Sequence, residues 1–73
     1  MTLDPLEDAC FAEPFEPFSL HLADGRELRI LHPEFLGFTS SKWIVIVYGF
    51  DDSRDVVDLE LVTTLRFAPS AQT

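Results

Sequence analysis

Two histidines, one cysteine and one cluster of acids are the residues of this chain that could do chemistry. His21 and His32 could each act as a general base or a metal ligand, but no serine or cysteine nucleophile lies at a recognisable spacing from either. We interpret both as surface or hydrogen-bonded structural histidines, with a pH-sensitive contact as the alternative. Cys10 is the only cysteine, which excludes an internal disulfide and leaves too few partners for a zinc site. We therefore expect Cys10 to be a small buried hydrophobe.

The acidic cluster places three carboxylates in the five residues from Asp51 to Asp55. It could hold a hard cation, but it lacks the glycine and the terminal glutamate of an EF-hand loop, so an ordinary solvated turn is the favoured interpretation. The three glycines lie far apart, so the sequence contains no phosphate-cradling loop. The sequence therefore predicts no catalytic residues, no metal site and no cofactor.

Four aromatic residues are candidates for an interaction surface. They are Phe38, Trp43, Tyr48 and Phe50. They could line a ligand groove or interface, or they could simply belong to the core, and the sequence leaves both alternatives open. The chain has nine Phe, Trp and Tyr residues in all, and a core of this size is too small to bury every one of them. Some of the nine should therefore serve an interface.

Charge limits the partners. Thirteen acidic residues against five basic ones give a net charge of −8. Direct binding of nucleic acid is disfavoured because it needs Lys or Arg against phosphate, and an anionic membrane is disfavoured for the same reason. A basic protein partner is permitted, and simple solubility is the plainest explanation of the charge. The N-terminus shows no basic or apolar leader, and the longest apolar run has six residues, so we expect a cytoplasmic protein.

A short helix is predicted over residues 1–13. Asp4 can act as its N-cap and Pro5 suits the first helical position. Pro14 should end the helix near Glu13, because proline disfavours helix in the residue before it. The apolar residues at helical spacing are Leu6, Ala9 and Cys10.

The remainder of the chain predicts β-strands. Alternating runs on either side of Asp24-Gly25 indicate a hairpin of residues 18–23 and 26–31. Pro33 should bend the second strand, which resumes over 35–39. Trp43 to Tyr48 has no polar alternation, which indicates burial on both faces or a central strand with one face against an oligomer partner. A further strand should begin near residue 55, and a last strand should cover 63–67. Asp58 can cap a 3₁₀ turn between them. Residues 68–73 should form a disordered tail.

These elements predict a single domain, mainly β, with a five-stranded SH3-like antiparallel barrel at 18–67. Asp4-Pro5-Leu6 and Leu22-Ala23-Asp24-Gly25-Arg26 resemble the helix and first hairpin of the Sm-like variety of this barrel. The chain is also similar to short bacterial proteins without an assigned activity. That likeness is carried by Pro14-Phe15, Pro17-Phe18, His32-Pro33-Glu34-Phe35 and Asp58-Leu59-Glu60-Leu61-Val62-Thr63.

The resemblance implies a tendency of barrel edges to pair into rings, but not RNA binding. Sm-like proteins bind uridine-rich RNA through an Asp and an Asn after strand two and an Arg-Gly pair near strand four. This chain contains no Asn, and Arg54 is followed by Asp55. We therefore expect a non-enzymatic interaction or regulatory module that acts as a homo-oligomer, and the charge also permits a protein partner. The alternatives are an Sm-like nucleic-acid-linked protein that acts through partners, which a focused basic patch would favour, and an enzyme, which a cleft joining a histidine to carboxylates would favour.

Overall fold

The computed structural model describes residues 1–68, which form a mainly β fold with one short helix. Two 3₁₀ helices, Pro33–Phe35 and Leu59–Leu61, lie before the third and the last strand. The predicted tail lies outside the described residues except for Ala68. In chain order the other elements are α1 (Leu3–Cys10), β1 (Phe18–Leu22), β2 (Glu27–Ile30), β3 (Leu36–Phe38), β4 (Ile44–Tyr48), β5 (Arg54–Asp58) and β6 (Val62–Phe67).

The six strands within residues 1–68 form two antiparallel three-stranded sheets instead of one closed five-stranded barrel. The first sheet has the order β2-β1-β6 and the second has the order β3-β4-β5. The strand count differs because the predicted bent strand is divided. Pro33 starts a 3₁₀ turn in which the Phe35 N–H donates to the carbonyl of His32 at 3.1 Å, so the chain leaves one sheet before it enters the other.

The predicted hairpin at Asp24-Gly25 is confirmed. Gly25 has a φ of +94°, which L side chains rarely adopt, and β1 pairs with β2 in antiparallel register. The carboxylate of Asp24 accepts the Arg26 backbone N–H at 3.1 Å and the Arg26 Nε at 2.9 Å. The pKa of Asp24 is below its usual value, mainly because its carboxylate accepts the Arg26 backbone N–H. The guanidinium of Arg26 lowers the pKa further.

Alternation along the strands builds the core between the two sheets. In β1 the side chains of Phe18, Leu20 and Leu22 are buried, while Ser19 and His21 on the other face are half-buried. The same alternation places one face of each neighbouring strand inward. The buried core consists of Leu6, Ala9, Cys10, Phe18, Leu20, Leu22, Ile30, Leu36, Val45, Val47, Val57, Leu59 and Val62.

The central strand β4 is buried on one face only. Val45 and Val47 point into the core, whereas Ile44 and Ile46 are half-buried and Tyr48 is 37% exposed. Burial of this strand on both faces is therefore wrong for a single copy of the chain. The other interpretation, a central strand that covers its outer face with a partner, stays a prediction.

Helix α1 is shorter than predicted. It begins at Leu3, with Asp4 in its first turn instead of at the N-cap, and it ends at Cys10 instead of near Glu13. The next position on the buried face of the helix is Glu13, and Pro14 disfavours helix in the residue before it. The helix therefore ends where its buried face ends.

Two local predictions hold. Cys10 is buried, its Sγ lies 3.6 Å from the carbonyl oxygen of Pro33, and burial raises the pKa of its thiol. Asp58 caps the 3₁₀ helix Leu59–Leu61, since its carboxylate accepts the Glu60 N–H at 2.9 Å.

Candidate functional site

The four candidate aromatic residues do not meet in one cluster. Trp43 precedes β4, whereas Tyr48 ends it and Phe50 lies in the turn beyond. Strand β4 has five residues and spans about 17 Å, so Trp43 before it and Phe50 beyond it lie at opposite ends of the second sheet. Within residues 1–68 no aromatic ring pair joins any two of Phe38, Trp43, Tyr48 and Phe50.

Two of the four form ring contacts with other aromatic residues. Phe38 is half-buried against the core, and its ring centroid lies 5.5 Å from that of Phe11. Phe50 is 76% exposed, and its ring meets that of Phe35 edge-on with centroids 4.8 Å apart. The ring of Phe35 also contacts that of His32, and the two ring centroids are 5.5 Å apart. His32 therefore lies among aromatic rings at the surface, which agrees with a structural role.

Trp43 lies beside the start of the helix. Its backbone carbonyl accepts the Leu59 N–H at 2.7 Å, and its side chain is 56% exposed. Together with Lys42 and the first helical residues Leu3 and Asp4, it borders a shallow groove of about 250 Å³. The exposed indole is thus separated from the surface on which Tyr48 lies.

The outer face of the second sheet carries a contiguous apolar surface. Ile46 pairs directly with Val56 on β5, and Val56 is 71% exposed. The ring of Tyr48 covers Gly37 on the opposite edge of the sheet. We call Ile44, Ile46, Tyr48 and Val56 the outer apolar face. Sequence reasoning identified Tyr48 but missed Val56, although one of two consecutive valines in a strand must face outward.

The outer face of the first sheet is polar. Arg29 on β2 and Arg66 on β6 both pair with Ser19 on β1, so the three side chains form one row across the sheet. In the next row His21 pairs with Glu27 and with Thr64. The row of Arg29, Ser19 and Arg66 lines a groove of about 280 Å³, which we call the arginine groove.

His21 lies next to this groove and, among residues 1–68, contacts only one acid. Its Nε2 is 3.9 Å from Oε2 of Glu27, and it is buried without a hydrogen-bond partner among the described residues. Glu27 also lies 4.0 Å from Nε of Arg29. The predicted hairpin already brings His21, Glu27 and Arg29 to one face, whereas Arg66 joins them only because β6 returns to pair with β1.

The acidic cluster forms a turn. The carboxylate of Asp51 accepts the Ser53 N–H at 3.1 Å, and the Gly49 N–H donates to the Ser53 carbonyl at 2.8 Å. Hydrogen bonds from Ser53, first from its side chain and then from its backbone, lower the pKa of Asp51. Asp52 adopts a φ of 67°, which is common for aspartate in turns. Within residues 1–68 no group of three or more His, Cys, Asp or Glu side chains is placed to hold a metal ion.

Comparison with known proteins identifies no relative. No protein-family model, no curated protein and no solved structure matches this chain. In the described part of the chain, no helix has the length and apolar character needed to cross a membrane.

Proposed function

We propose that this chain is a non-enzymatic interaction or regulatory module that self-associates through its outer apolar face. The observation that carries the proposal is the pair of Ile46 and Val56, in which Val56, the middle residue of the edge strand β5, is 71% exposed. Contiguous exposed apolar side chains are typical of interaction surfaces, because their burial removes apolar area from water.

The charges that flank this face suit a two-fold pairing. Arg54 lies opposite Tyr48 at one end of the face, and Asp58 lies opposite Ile44 at the other end. A two-fold axis that runs across the strands, through the middle of the face, would exchange the two ends of β5. Arg54 of each copy would then approach Asp58 of the other. Such pairing would offset, at the interface, part of the repulsion between two chains of net charge −8.

The fold class we propose is an open form of the small SH3-like barrel of the Sm-like type, with its strands divided between the two sheets. Three features support it. The first and last strands pair with each other as β1 and β6, the chain passes between the two sheets through a 3₁₀ turn at Pro33, and a second 3₁₀ helix separates β5 from β6. In such a barrel the edge strands β3 and β5 of the second sheet would be open to pairing with another copy.

The alternative of an Sm-like nucleic-acid-linked protein is less well supported. Arg26 is engaged by Asp24 at 2.9 Å, and Arg54 lies on the other sheet from Arg29 and Arg66. The basic residues therefore form a pair instead of the extended stripe that a polyanion needs.

A cytoplasmic location is part of the same proposal. The single buried thiol of Cys10 supports it, because a free cysteine suits a reducing compartment.

Sedimentation equilibrium of two matched variants tests the proposal. Val56→Glu places a charge on the outer apolar face and should weaken self-association about tenfold or more, because that charge would be buried unpaired in the interface. Leu61→Glu makes the same kind of change at another exposed apolar residue, 45% exposed and outside the second sheet, and should leave the association unchanged. Equal effects of the two substitutions would contradict the proposed interface.

A further inference from the structure

We propose that the arginine groove on the first sheet binds a peptide segment of a protein partner in which one carboxylate adjoins an apolar side chain. The groove lies on the opposite sheet from the outer apolar face, so this binding is independent of self-association.

The two arginines of the groove lie on one face of the first sheet, on either side of Ser19. Arg29 and Arg66 lie on the strands that flank β1, and both pair with Ser19. Their Cα atoms are two strand spacings apart, about 10 Å, so the long side chains can reach the same ligand above Ser19. Charge-assisted hydrogen bonds from two arginines are a strong means of holding a carboxylate.

The donors in this row are not used within the described residues. Arg66 forms no ion pair there, and the hydroxyl of Ser19 forms no hydrogen bond there. Arg29 has only Glu27, at 4.0 Å, and its side chain is 74% exposed. The contrast is Arg26, whose Nε contacts Asp24 at 2.9 Å. Arg29 and Arg66 can therefore take up an external anion without breaking a close internal pair.

Apolar residues border the same groove. Leu31 and Phe67 are 40% and 48% exposed, and Pro17 lies beside them. A ligand with an apolar group next to its carboxylate would bury part of this surface in addition to meeting the arginines.

The charge of the whole chain selects a ligand with few charges. At a net charge of −8, the chain repels an approaching anion in proportion to the anion's own charge, and Glu27 adds to this repulsion inside the groove. A polyanion would gain the same two arginines, but its remaining charges would extend beyond them over a chain of net negative charge and be repelled. An acidic residue beside an apolar one in a peptide fits both the arginines and the apolar border.

Titration of the ¹⁵N-labelled protein with two matched peptides tests the proposal. The probes are acetyl-Leu-Asp-Leu-amide and its neutral counterpart acetyl-Leu-Asn-Leu-amide. Saturable shifts of the amide signals of Ser19, Arg29 and Arg66 should follow addition of the Asp peptide and not of the Asn peptide. Phenyl phosphate serves as a third probe and should bind more weakly than the Asp peptide.

Two charge variants complete the test. Arg66→Gln should weaken binding of the Asp peptide about tenfold, as expected for the loss of one charge-assisted pair. Lys42→Gln removes the same charge from an exposed residue between β3 and β4 and should leave binding unchanged. Shifts confined to the second sheet, equal binding of the two peptides, tighter binding of phenyl phosphate, or equal effects of the two variants would each overturn the proposal.

Discussion

The phenol ring of Tyr48 lies on the backbone of Gly37. A Cβ atom added at Gly37 would be 3.0 Å from Cε2 of Tyr48 and 3.2 Å from its hydroxyl oxygen. Gly37 pairs with Ile46, so the ring of Tyr48 crosses from β4 to cover the edge strand β3. This contact completes the outer apolar face on its β3 side, and it needs a residue without a side chain beneath the ring.

The Tyr48 contact predicts that Gly37→Ala destabilises the protein. The new methyl group must displace the ring, and we expect a loss of about 1 kcal/mol in the free energy of unfolding. In a Tyr48→Ala background the same change should instead stabilise by about 0.5 kcal/mol, because glycine is unfavourable in a strand. Urea denaturation of the four proteins of this double-mutant cycle measures the coupling. Equal effects of Gly37→Ala in both backgrounds would show that the ring does not rest on Gly37.

The turn of the first hairpin gives a second prediction. Gly25→Val should lower the free energy of unfolding by about 1 kcal/mol or more, because a β-branched residue resists the positive φ at this position. Ala23→Val, at an exposed neighbour with ordinary φ, should stay within about 0.5 kcal/mol of the parent protein. Thermal melting curves of both variants measure the difference. Equal losses would contradict the assignment of this turn.

The hairpin and the 3₁₀ cap could be predicted from sequence because each depends on residues close together in the chain. Asp24-Gly25 encodes a tight turn locally, and Asp58 reaches an amide only two residues away. The position of the bend at Pro33 was predicted correctly, but the separation of β2 and β3 into two sheets was not. Whether a proline bends one strand or separates two depends on which sheet the following residues join, and that choice is made by long-range pairing.

Acid should weaken the contribution of Asp24. In the folded protein the pKa of Asp24 lies below 3.8, mainly because its carboxylate accepts the Arg26 backbone hydrogen bond. The ionised carboxylate therefore stabilises the fold at any pH above the pKa of the unfolded chain. This stabilisation is lost as the pH falls through the pKa of the folded protein. Asp24→Asn should therefore lower the melting temperature slightly at pH 7, with a difference that shrinks below pH 3.8. Paired melting curves across this range measure it. A difference that grew towards acid pH would contradict the sign of the shift.

The candidate site was predicted only in part, for a topological reason. The aromatic residues could be named from composition, but which of them share a surface depends on where β4 begins and ends. Exposed Val56 and the row of Arg29, Ser19 and Arg66 emerged only once the strands were paired. Residues 29 and 66 are distant in the chain, and no local pattern links them.

Nucleic acid should not bind at physiological salt. The net charge is −8, and the arginine groove offers two guanidinium groups with Glu27 beside them. Fluorescence anisotropy with labelled uridine-rich RNA and with single-stranded DNA should show no binding at micromolar protein. Submicromolar binding that weakens steeply with added salt would contradict this expectation.

Static light scattering at tens of micromolar protein tests the central claim most directly, because self-association through the outer apolar face must change the mass in solution. The chain has a mass of 8.3 kDa. We predict a mass that is a multiple of this value for the parent protein, and a return towards 8.3 kDa for Val56→Glu. A parent protein that scatters as a monomer of 8.3 kDa throughout this range would contradict the proposed self-association.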